Sequence, residues 1–221
     1  MLKLQNLKIV FPTLAIFVAL VLVSVAPAAT VTTSGNIPAS NNQSYGNYFD
    51  LTNISSSPIT LTGNFEGNFD PASNVFPGRV EVWWRNGTVA DNYLTPTGWT
   101  LLGADDNVNA NPVDMPTPVD VGNTLVIAPG DTKGILWNME ASSAPSVLPT
   151  KYTDGQHTVE DGTLRISGWA GKGFSKADPP ISAGFEFRSW NGSVEYVPEP
   201  AALLMLVTAA PLMMGRRRRP T

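Results

Sequence analysis

The sequence contains no cysteine and a single histidine in 221 residues. Without cysteine there is no disulfide, no thiol nucleophile and no cysteine-bound metal, so packing must stabilise the fold. A Ser-His-Asp triad or a zinc site of the usual kind would have to use His157, which follows a turn-forming Asp-Gly pair. No Gly-x-Ser-x-Gly elbow precedes a helix. We therefore expect neither a hydrolase triad nor a zinc centre.

Long hydrophobic runs are confined to the two ends of the chain. Near the N-terminus, Lys3 and Lys8 precede an apolar run from Ile9 to Val25, and Ala26-Pro27-Ala28 follows it. A basic start, an apolar centre and small residues at the cleavage positions are typical of a secretory signal peptide. We expect signal peptidase to remove residues 1–28; the alternative is an uncleaved N-terminal membrane helix.

The C-terminal end carries three features in order. They are Pro198-Glu199-Pro200, an apolar run from Ala201 to Met214, and the basic cluster Arg216, Arg217, Arg218 and Arg219. As a helix of about 1.5 Å per residue, the run is shorter than a hydrocarbon core of about 30 Å. The arginines should stay on the cytoplasmic side of the membrane. Residues 198–221 therefore predict a short, marginal hydrophobic helix that anchors the preceding chain outside the membrane.

This C-terminal arrangement resembles the PEP-CTERM sorting signal of Gram-negative bacteria. The resemblance implies that an exosortase, a membrane-embedded cysteine protease, recognises the segment and cleaves near Pro198-Glu199-Pro200. It also implies transient anchoring in the inner membrane before processing, and then delivery to the cell surface or the extracellular space, in association with exopolysaccharide or biofilm material. The alternative is an ordinary tail anchor.

The central part of the chain has few basic residues. Six of the 14 basic residues lie in the two terminal segments, whereas 17 of the 18 acidic residues lie between residues 29 and 197. The expected mature domain, residues 29–197, thus has eight basic residues and a net charge of about −9. Nucleic-acid phosphates need lysine and arginine, so an acidic surface argues against a nucleic-acid partner.

The central region has the pattern of short β-strands. Phe185-Glu186-Phe187-Arg188 alternates apolar and charged residues, as expected for a strand with one buried face, and Val80 to Arg85 alternates in the same way. We predict an all-β, antiparallel β-sandwich of jelly-roll or immunoglobulin-like topology. The candidate strands are Tyr48–Leu51, Ile59–Phe65, Arg79–Arg85, Gly98–Leu102, Thr124–Ala128, Gly134–Met139, Thr158–Ser167, Ala183–Trp190 and Val194–Val197.

Turn signals separate these candidate strands. Asn191-Gly192 predicts a two-residue hairpin, and Asn86-Gly87 predicts a second such turn. The stretch from Ala104 to Pro118, rich in Asn, Asp and Pro, predicts one long surface loop. The glycine-rich stretch from Gly168 to Gly173 predicts a flexible loop between strands, because it lacks the context of a phosphate-binding loop.

A second resemblance concerns the central domain. The blocks Gly46–Asn53, Val80–Gly87, Trp99–Gly103 and Phe187–Gly192 resemble a β-sandwich module of bacterial secreted and surface proteins. The resemblance implies the fold and an extracellular setting. It supplies no catalytic residue that could be transferred to this chain.

Six tryptophans lie in the central region, which favours a sugar-binding face as well as a large core. Flat aromatic rings stack on the apolar faces of sugars, whereas a sandwich core also needs large residues. Trp83 and Trp84 are adjacent on one predicted strand, so their side chains should point to opposite faces. We expect one of the two to be exposed and to be a candidate carbohydrate contact.

Oxygen-bearing side chains at Asp105, Asn107 and Asn109 form a candidate calcium site, because calcium prefers such ligands. The EF-hand pattern fails, since Ala110 and Pro116 stand where that loop needs Gly and Glu. The alternative is a solvated polar loop. No other cofactor is predicted.

No pair of acidic residues stands out as the two carboxyl groups of a glycosidase. Glu81 and Glu186 alternate with apolar residues and are expected to face solvent. We therefore expect an exported, non-enzymatic module of the cell surface or extracellular matrix whose favoured partner is polysaccharide. The alternatives are an enzyme that acts on extracellular polysaccharide and a purely structural matrix subunit.

Overall fold

The structure, a computed structural model, describes residues 26–33, 39, 42–73, 76–140 and 149–199. The predicted signal peptide up to residue 25, Pro200, the apolar run and the arginine cluster lie outside these residues. Within the described ranges, no helix is long and apolar enough to cross a membrane.

The described chain consists mainly of β-strands, with one short helix and one 3₁₀ turn. The helix α1 spans Val89–Asn92, and the 3₁₀ turn spans Pro71–Ser73. In chain order the strands are β1 (Ala29–Thr32), β2 (Asn42–Ser44), β3 (Gly46–Asn53), β4 (Ile59–Gly67), β5 (Gly78–Asn86), β6 (Thr100–Val108), β7 (Thr117–Asp120), β8 (Leu125–Ile127), β9 (Thr132–Glu140), β10 (Thr150–Asp154), β11 (Thr158–Glu160), β12 (Leu164–Gly171), β13 (Glu186–Trp190) and β14 (Gly192–Pro198).

These strands form two sheets. The smaller sheet has the order β1-β14-β4-β7, and β8 also pairs with β4. The larger sheet has the order β2-β10-β13-β12-β3-β9-β5-β6, and β11 pairs with β12. All of the named strand pairs are antiparallel. The prediction of an all-β, antiparallel fold is confirmed, and the two sheets are consistent with a sandwich.

The main core is built from alternate residues of the strands, as the sequence pattern predicts. In β5, Val80 and Val82 belong to the main core, whereas Trp83 belongs to a second cluster on the outer face of the larger sheet. Successive side chains of a strand point to opposite faces, which explains the separation. The larger sheet thus carries apolar side chains on both of its faces.

Aromatic rings fill the centre of the main core. Trp137 and Trp190 are fully buried, with ring centroids 5.4 Å apart, and Trp190 stacks on Phe49 at 4.5 Å. Burial of an aromatic side chain removes a large apolar area from water. In this way packed rings stabilise a fold that has no disulfide.

Some predicted strand bounds are wrong. The segment from Thr158 to Ser167 is not one strand but the β11–β12 hairpin. The Asp161 side chain forms the turn, because its Oδ1 accepts hydrogen bonds from the backbone of Thr163 and Leu164 at 2.9 and 3.0 Å. Four strands, β1, β2, β7 and β10, were not predicted from the sequence.

The prediction of one long loop from Ala104 to Pro118 is also wrong. Strand β6 continues to Val108 and pairs with β5, and β7 begins at Thr117, so the loop covers residues 109–116 only. Pairing with a neighbouring strand overrides the low strand propensity of Asp and Asn. The predicted loop at Gly168 likewise belongs to β12, which continues to Gly171.

Asn191-Gly192 does not form a hairpin, although its residue types suggest one. Strand β13 pairs within the larger sheet, whereas β14 pairs within the smaller one, so the chain crosses between the sheets here. A Cβ at Gly192 would lie 2.1 Å from the carbonyl oxygen of Glu66, so the crossing needs a residue without a side chain. The hairpin turn predicted at Asn86-Gly87 is absent as well: Asn86 ends β5, and Gly87, with positive φ, forms a bridge with Lys133 before α1 begins.

The chain enters and leaves the sandwich at neighbouring positions. Ala29 of β1 lies opposite Tyr196 of β14, which is flanked by β1 and β4. Pro198 ends β14, and the next backbone N–H, that of Glu199, donates a hydrogen bond to the Pro58 carbonyl at 2.9 Å. Glu199 Oε1 also accepts a hydrogen bond from Thr60 at 2.8 Å. The first two residues of the Pro-Glu-Pro motif are therefore bonded to the sandwich.

Candidate functional site

The outer face of the larger sheet carries a second hydrophobic cluster, which we call the outer cluster. It packs aromatic and aliphatic side chains from the sheet against the connection between β5 and β6. Its members are Tyr48, Trp83, Val89, Tyr93, Trp99, Leu136 and Ala170. The outer face is therefore partly covered by the chain itself.

Helix α1 is held on this face by Asp50 of β3. The Asp50 carboxylate accepts hydrogen bonds from the Thr88 hydroxyl and from the backbone N–H of Val89. Burial raises the pKa of Asp50, and the two hydrogen bonds oppose this effect because they stabilise the charged carboxylate. The helix is thereby fixed where Val89 and Tyr93 cover the sheet.

Trp83 and Trp84 point to opposite faces, as predicted, but neither is exposed. Trp83 faces outward, yet the outer cluster covers it and leaves it 9% exposed. Trp84 is half-buried against the main core, with Lys133 Nζ 5.5 Å from its ring centroid. The prediction that one ring of the pair is exposed is therefore wrong, because a long connection folds back over that side.

The exposed aromatic side chains of the described residues are Phe185 and Phe187, with exposed fractions of 55% and 51%. The expectation that their alternation marks a buried face is wrong. The half-buried Trp169 lies beside them, with its ring centroid 5.8 Å from that of Phe187. We call Trp169, Phe185 and Phe187 the aromatic platform. It adjoins the outer cluster, against which Trp169 packs.

An irregular backbone presents the platform. The pairing of β12 with β13 shifts register at Trp169, and such a bulge redirects side chains. Phe187 has a φ of 55°, which is rare for a bulky residue and costs about 1–3 kcal/mol. Neighbouring backbone bonds hold this geometry, because Phe185 exchanges two hydrogen bonds with Gly171 and Phe187 accepts one from Gly155. The two rings are thus fixed outward.

Polar groups surround the platform. Glu186 is exposed between the two phenylalanines, and its charge helps burial to raise the pKa of Tyr93 in the outer cluster. The Arg188 guanidinium lies 5.9 Å from the Phe185 ring centroid, and its Nε lies 2.8 Å from Asp154. Exposed rings beside a carboxylate and a guanidinium offer both apolar faces and hydrogen-bonding groups to one ligand.

A polar cleft of about 390 Å³ lies on the same sheet, between β5, β9 and residues 175–180. Its walls include Glu81, Trp83, Asn138 and Glu140. Glu81 was expected to face solvent, but its side chain is largely buried and accepts hydrogen bonds from Trp83 Nε1 and Asn138 Nδ2, both at 3.1 Å. Glu186, in contrast, is exposed as predicted.

The two glutamates of the cleft share one cation. Arg79 Nε lies 3.0 Å from Glu81 Oε1 and 3.3 Å from Glu140 Oε2. A glycosidase needs two carboxyl groups that flank a bound sugar, whereas these two carboxylates have the Arg79 guanidinium between them. This geometry gives no support to the alternative of a polysaccharide-cleaving enzyme.

The calcium candidates lie at the end of β6 and just beyond it. Asp105 Oδ1 accepts a hydrogen bond from the Asn107 N–H at 3.0 Å, and Oδ2 accepts one from the Asp120 N–H at 3.2 Å. Asn109 Nδ2 donates to the Asn107 carbonyl at 3.1 Å. The described residues contain no group of three or more His, Asp or Glu side chains that could hold a metal ion. Calcium binding stays a prediction.

His157 lies beside a serine, but not in a triad geometry. Its backbone N–H donates to Ser189 Oγ at 2.7 Å, and that hydroxyl donates to the Gly155 carbonyl at 3.0 Å. The imidazole Nε2 lies 3.2 Å from the Asp154 carbonyl. The serine hydroxyl thus bonds to backbone and shapes the turn before β11.

Comparison with known proteins gives no family for this chain. No protein-family model matches it, and no curated protein shows significant sequence similarity. Among solved structures, the VP2 subviral particle of infectious bursal disease virus matches 86% of this chain and 49% of its own chain, with 12% identity and a TM-score of 0.30. The chain thus spans about half the length of that protein, and a similarity at this level carries no functional argument.

Proposed function

We propose that this protein is a non-enzymatic polysaccharide-binding module of the cell surface or extracellular matrix, and that the aromatic platform is its contact site. The exposure of Phe185 and Phe187 is the observation that supports this function. Apolar ring faces in water are favourable contacts for the C–H faces of sugars, and the backbone fixes them outward before any ligand arrives. The preferred contact thus moves from Trp83 and Trp84 to the platform.

The acidic charge and the cleft geometry agree with this proposal. A domain with a net charge of about −9 suits a neutral or cationic glycan better than nucleic acid. Glu186 and Arg188 can bond sugar hydroxyls at the platform edge. We also propose that the sandwich has a jelly-roll or immunoglobulin-like topology and that a short hydrophobic helix follows it at the C-terminal end.

Replacing both phenylalanines of the platform with alanine is expected to weaken polysaccharide binding by about tenfold or more, since each ring contact contributes about 1 kcal/mol. The measurement is retention of the full-length protein on a panel of bacterial and plant polysaccharides. Val126→Ala, at an exposed apolar position of β8 in the smaller sheet, is the matched control. Full binding by the double variant would remove the platform from the proposal. Absence of binding by the unaltered protein would favour the structural matrix subunit.

We further propose that signal peptidase and an exosortase process the chain during export, as the resemblance of its two ends implies. Replacing Pro198-Glu199-Pro200 with three alanines is expected to leave a longer, membrane-associated form. Immunoblotting of cell, membrane and medium fractions measures this change. Thr60→Val removes the hydrogen-bond partner of the Glu199 side chain and leaves the motif intact, so it controls for disturbance of the sandwich. Unchanged size and location of the triple variant would contradict the sorting proposal.

A further inference from the structure

Lys172 is a buried lysine at the end of β12. Its side chain is fully buried, with the residue only 1% exposed, and Nζ donates a hydrogen bond to the Gly173 carbonyl at 2.9 Å. Among the described residues, no carboxylate lies within ion-pair distance of this amine. A buried ammonium ion without a paired charge is costly. Burial accordingly lowers the pKa of Lys172 to about 8, and the charge of Glu81 opposes this effect. Near pH 8 about half of the amine is therefore neutral and nucleophilic, a larger fraction than for an exposed lysine.

The strand registers place Lys172, Asn138 and Glu81 in one row that runs across the strands of the larger sheet. The Lys172 N–H donates to the Gly46 carbonyl at 2.7 Å, Gly46 lies opposite Asn138, and Asn138 lies opposite Glu81. Strands are about 4.8 Å apart, so two strand spacings separate Lys172 from Asn138. Gly46 has no side chain to block the space between them. The four-carbon stem of a lysine can therefore reach across one strand towards Asn138.

The Asn138 amide is held in place for a reaction. The residue is 2% exposed, and its Nδ2 donates to Glu81 Oε2, while its Oδ1 has no hydrogen-bond partner among the described residues. Arg79 and Trp83 fix the Glu81 carboxylate from the other side. The row thus contains an amine, an amide carbonyl and a carboxylate that can act as a base, and all three side chains are largely buried.

We propose that Lys172 and Asn138 form an intramolecular amide bond. The lysine Nζ lone pair attacks Cγ of Asn138, the new Nζ–Cγ bond forms, and the Cγ–Nδ2 bond breaks. Once the amine has moved from the Gly173 carbonyl to Cγ, Glu81, which already accepts a hydrogen bond from Nδ2, takes a proton from the amine and passes it to Nδ2, which leaves as ammonia. The step needs no oxidant or cofactor, and Glu81 ends as it began.

The bond would join the end of β12 to β9 across β3. The buried amine would become a neutral amide with one remaining N–H donor. Burial of an uncharged amide with a partner costs far less than burial of an ammonium ion. A chain without cysteine would thereby gain a covalent link that reduction cannot break.

Intact-mass measurement of the purified full-length protein under denaturing conditions tests this proposal. The mass is expected to be lower by one ammonia molecule than the mass of the same processed chain without the link. Tryptic digestion should yield one branched peptide that contains both Lys172 and Asn138, without cleavage after Lys172. Lys172→Met and Glu81→Gln should each show no ammonia loss, whereas Lys176→Met, at an exposed lysine of the cleft, should retain it.

The unaltered protein decides the outcome, so a variant that fails to fold does not affect the test. A mass without ammonia loss, with normal tryptic cleavage after Lys172, would overturn the proposal. Ammonia loss without the branched peptide would also overturn it, because asparagine can lose ammonia by other routes. If Glu81→Gln still forms the link, the proposed role of Glu81 as the base is wrong, although the bond between Lys172 and Asn138 exists.

Discussion

Ending the chain after Asn191 is expected to abolish the folded state. This truncation removes β14, which lies between β1 and β4 in the smaller sheet, and it leaves β1 without its partner among the described strands. It also removes the buried Val194 and Tyr196 from the main core. Each buried large side chain contributes about 1.5–3 kcal/mol, and domains are stable by only about 5–15 kcal/mol. Far-UV circular dichroism and limited proteolysis measure the loss.

A chain that ends after Glu199 is the matched control for this truncation. It retains all of β14 and the hydrogen bonds of Glu199 to Pro58 and Thr60. We expect this chain and the full-length chain to unfold cooperatively. A cooperative transition in the chain that ends after Asn191 would show that the smaller sheet does not depend on its last strand.

Trp137→Ala is expected to lower the free energy of unfolding by about 3–5 kcal/mol, the usual loss when a buried aromatic residue is truncated. The indole is fully buried and packs against Phe65, Phe69 and Trp190, with ring centroids between 5.4 and 6.1 Å away. Rings on both sheets therefore lose contacts at once, and a cavity remains between them. Urea unfolding followed by circular dichroism measures the change.

Trp84→Ala provides a comparison at a half-buried tryptophan of the neighbouring strand. We expect less than half of the loss for Trp84→Ala, because water already reaches part of that ring. A loss below about 1 kcal/mol for Trp137→Ala would contradict the view that the aromatic centre stabilises the sandwich.

Local patterns predict the strands that carry the core, because core strands need alternating apolar residues. Val80, Val82 and the apolar positions of β4 and β9 follow this rule, and their strands are present with slightly longer bounds. Strands β2 and β10 have mostly polar sequences, Asn42–Ser44 and Thr150–Asp154. They exist because a neighbouring strand offers hydrogen bonds, and a local pattern does not contain that information.

The candidate site was harder to predict, because exposure depends on distant segments. Trp83 alternates out of the core as expected, but Tyr93 and Trp99, from the connection after β5, share one cluster with it. Phe185 and Phe187 alternate like core residues, but a bulge and a positive φ turn them outward. Sequence reasoning gives the side of a strand on which a residue lies, and tertiary structure decides whether that side is covered.

The neighbouring entry and exit of the chain give the domain a defined orientation. The last described residue, Glu199, is bonded to Pro58, just after the Asn53 end of β3. Phe185 pairs with Gly171, which lies opposite Asn47 near the other end of that strand. Six residues of strand separate these ends by about 20 Å. If the chain is tethered through the segment after Glu199, the aromatic platform lies near the end of β3 that is remote from the attachment point. It is then exposed to the surrounding medium.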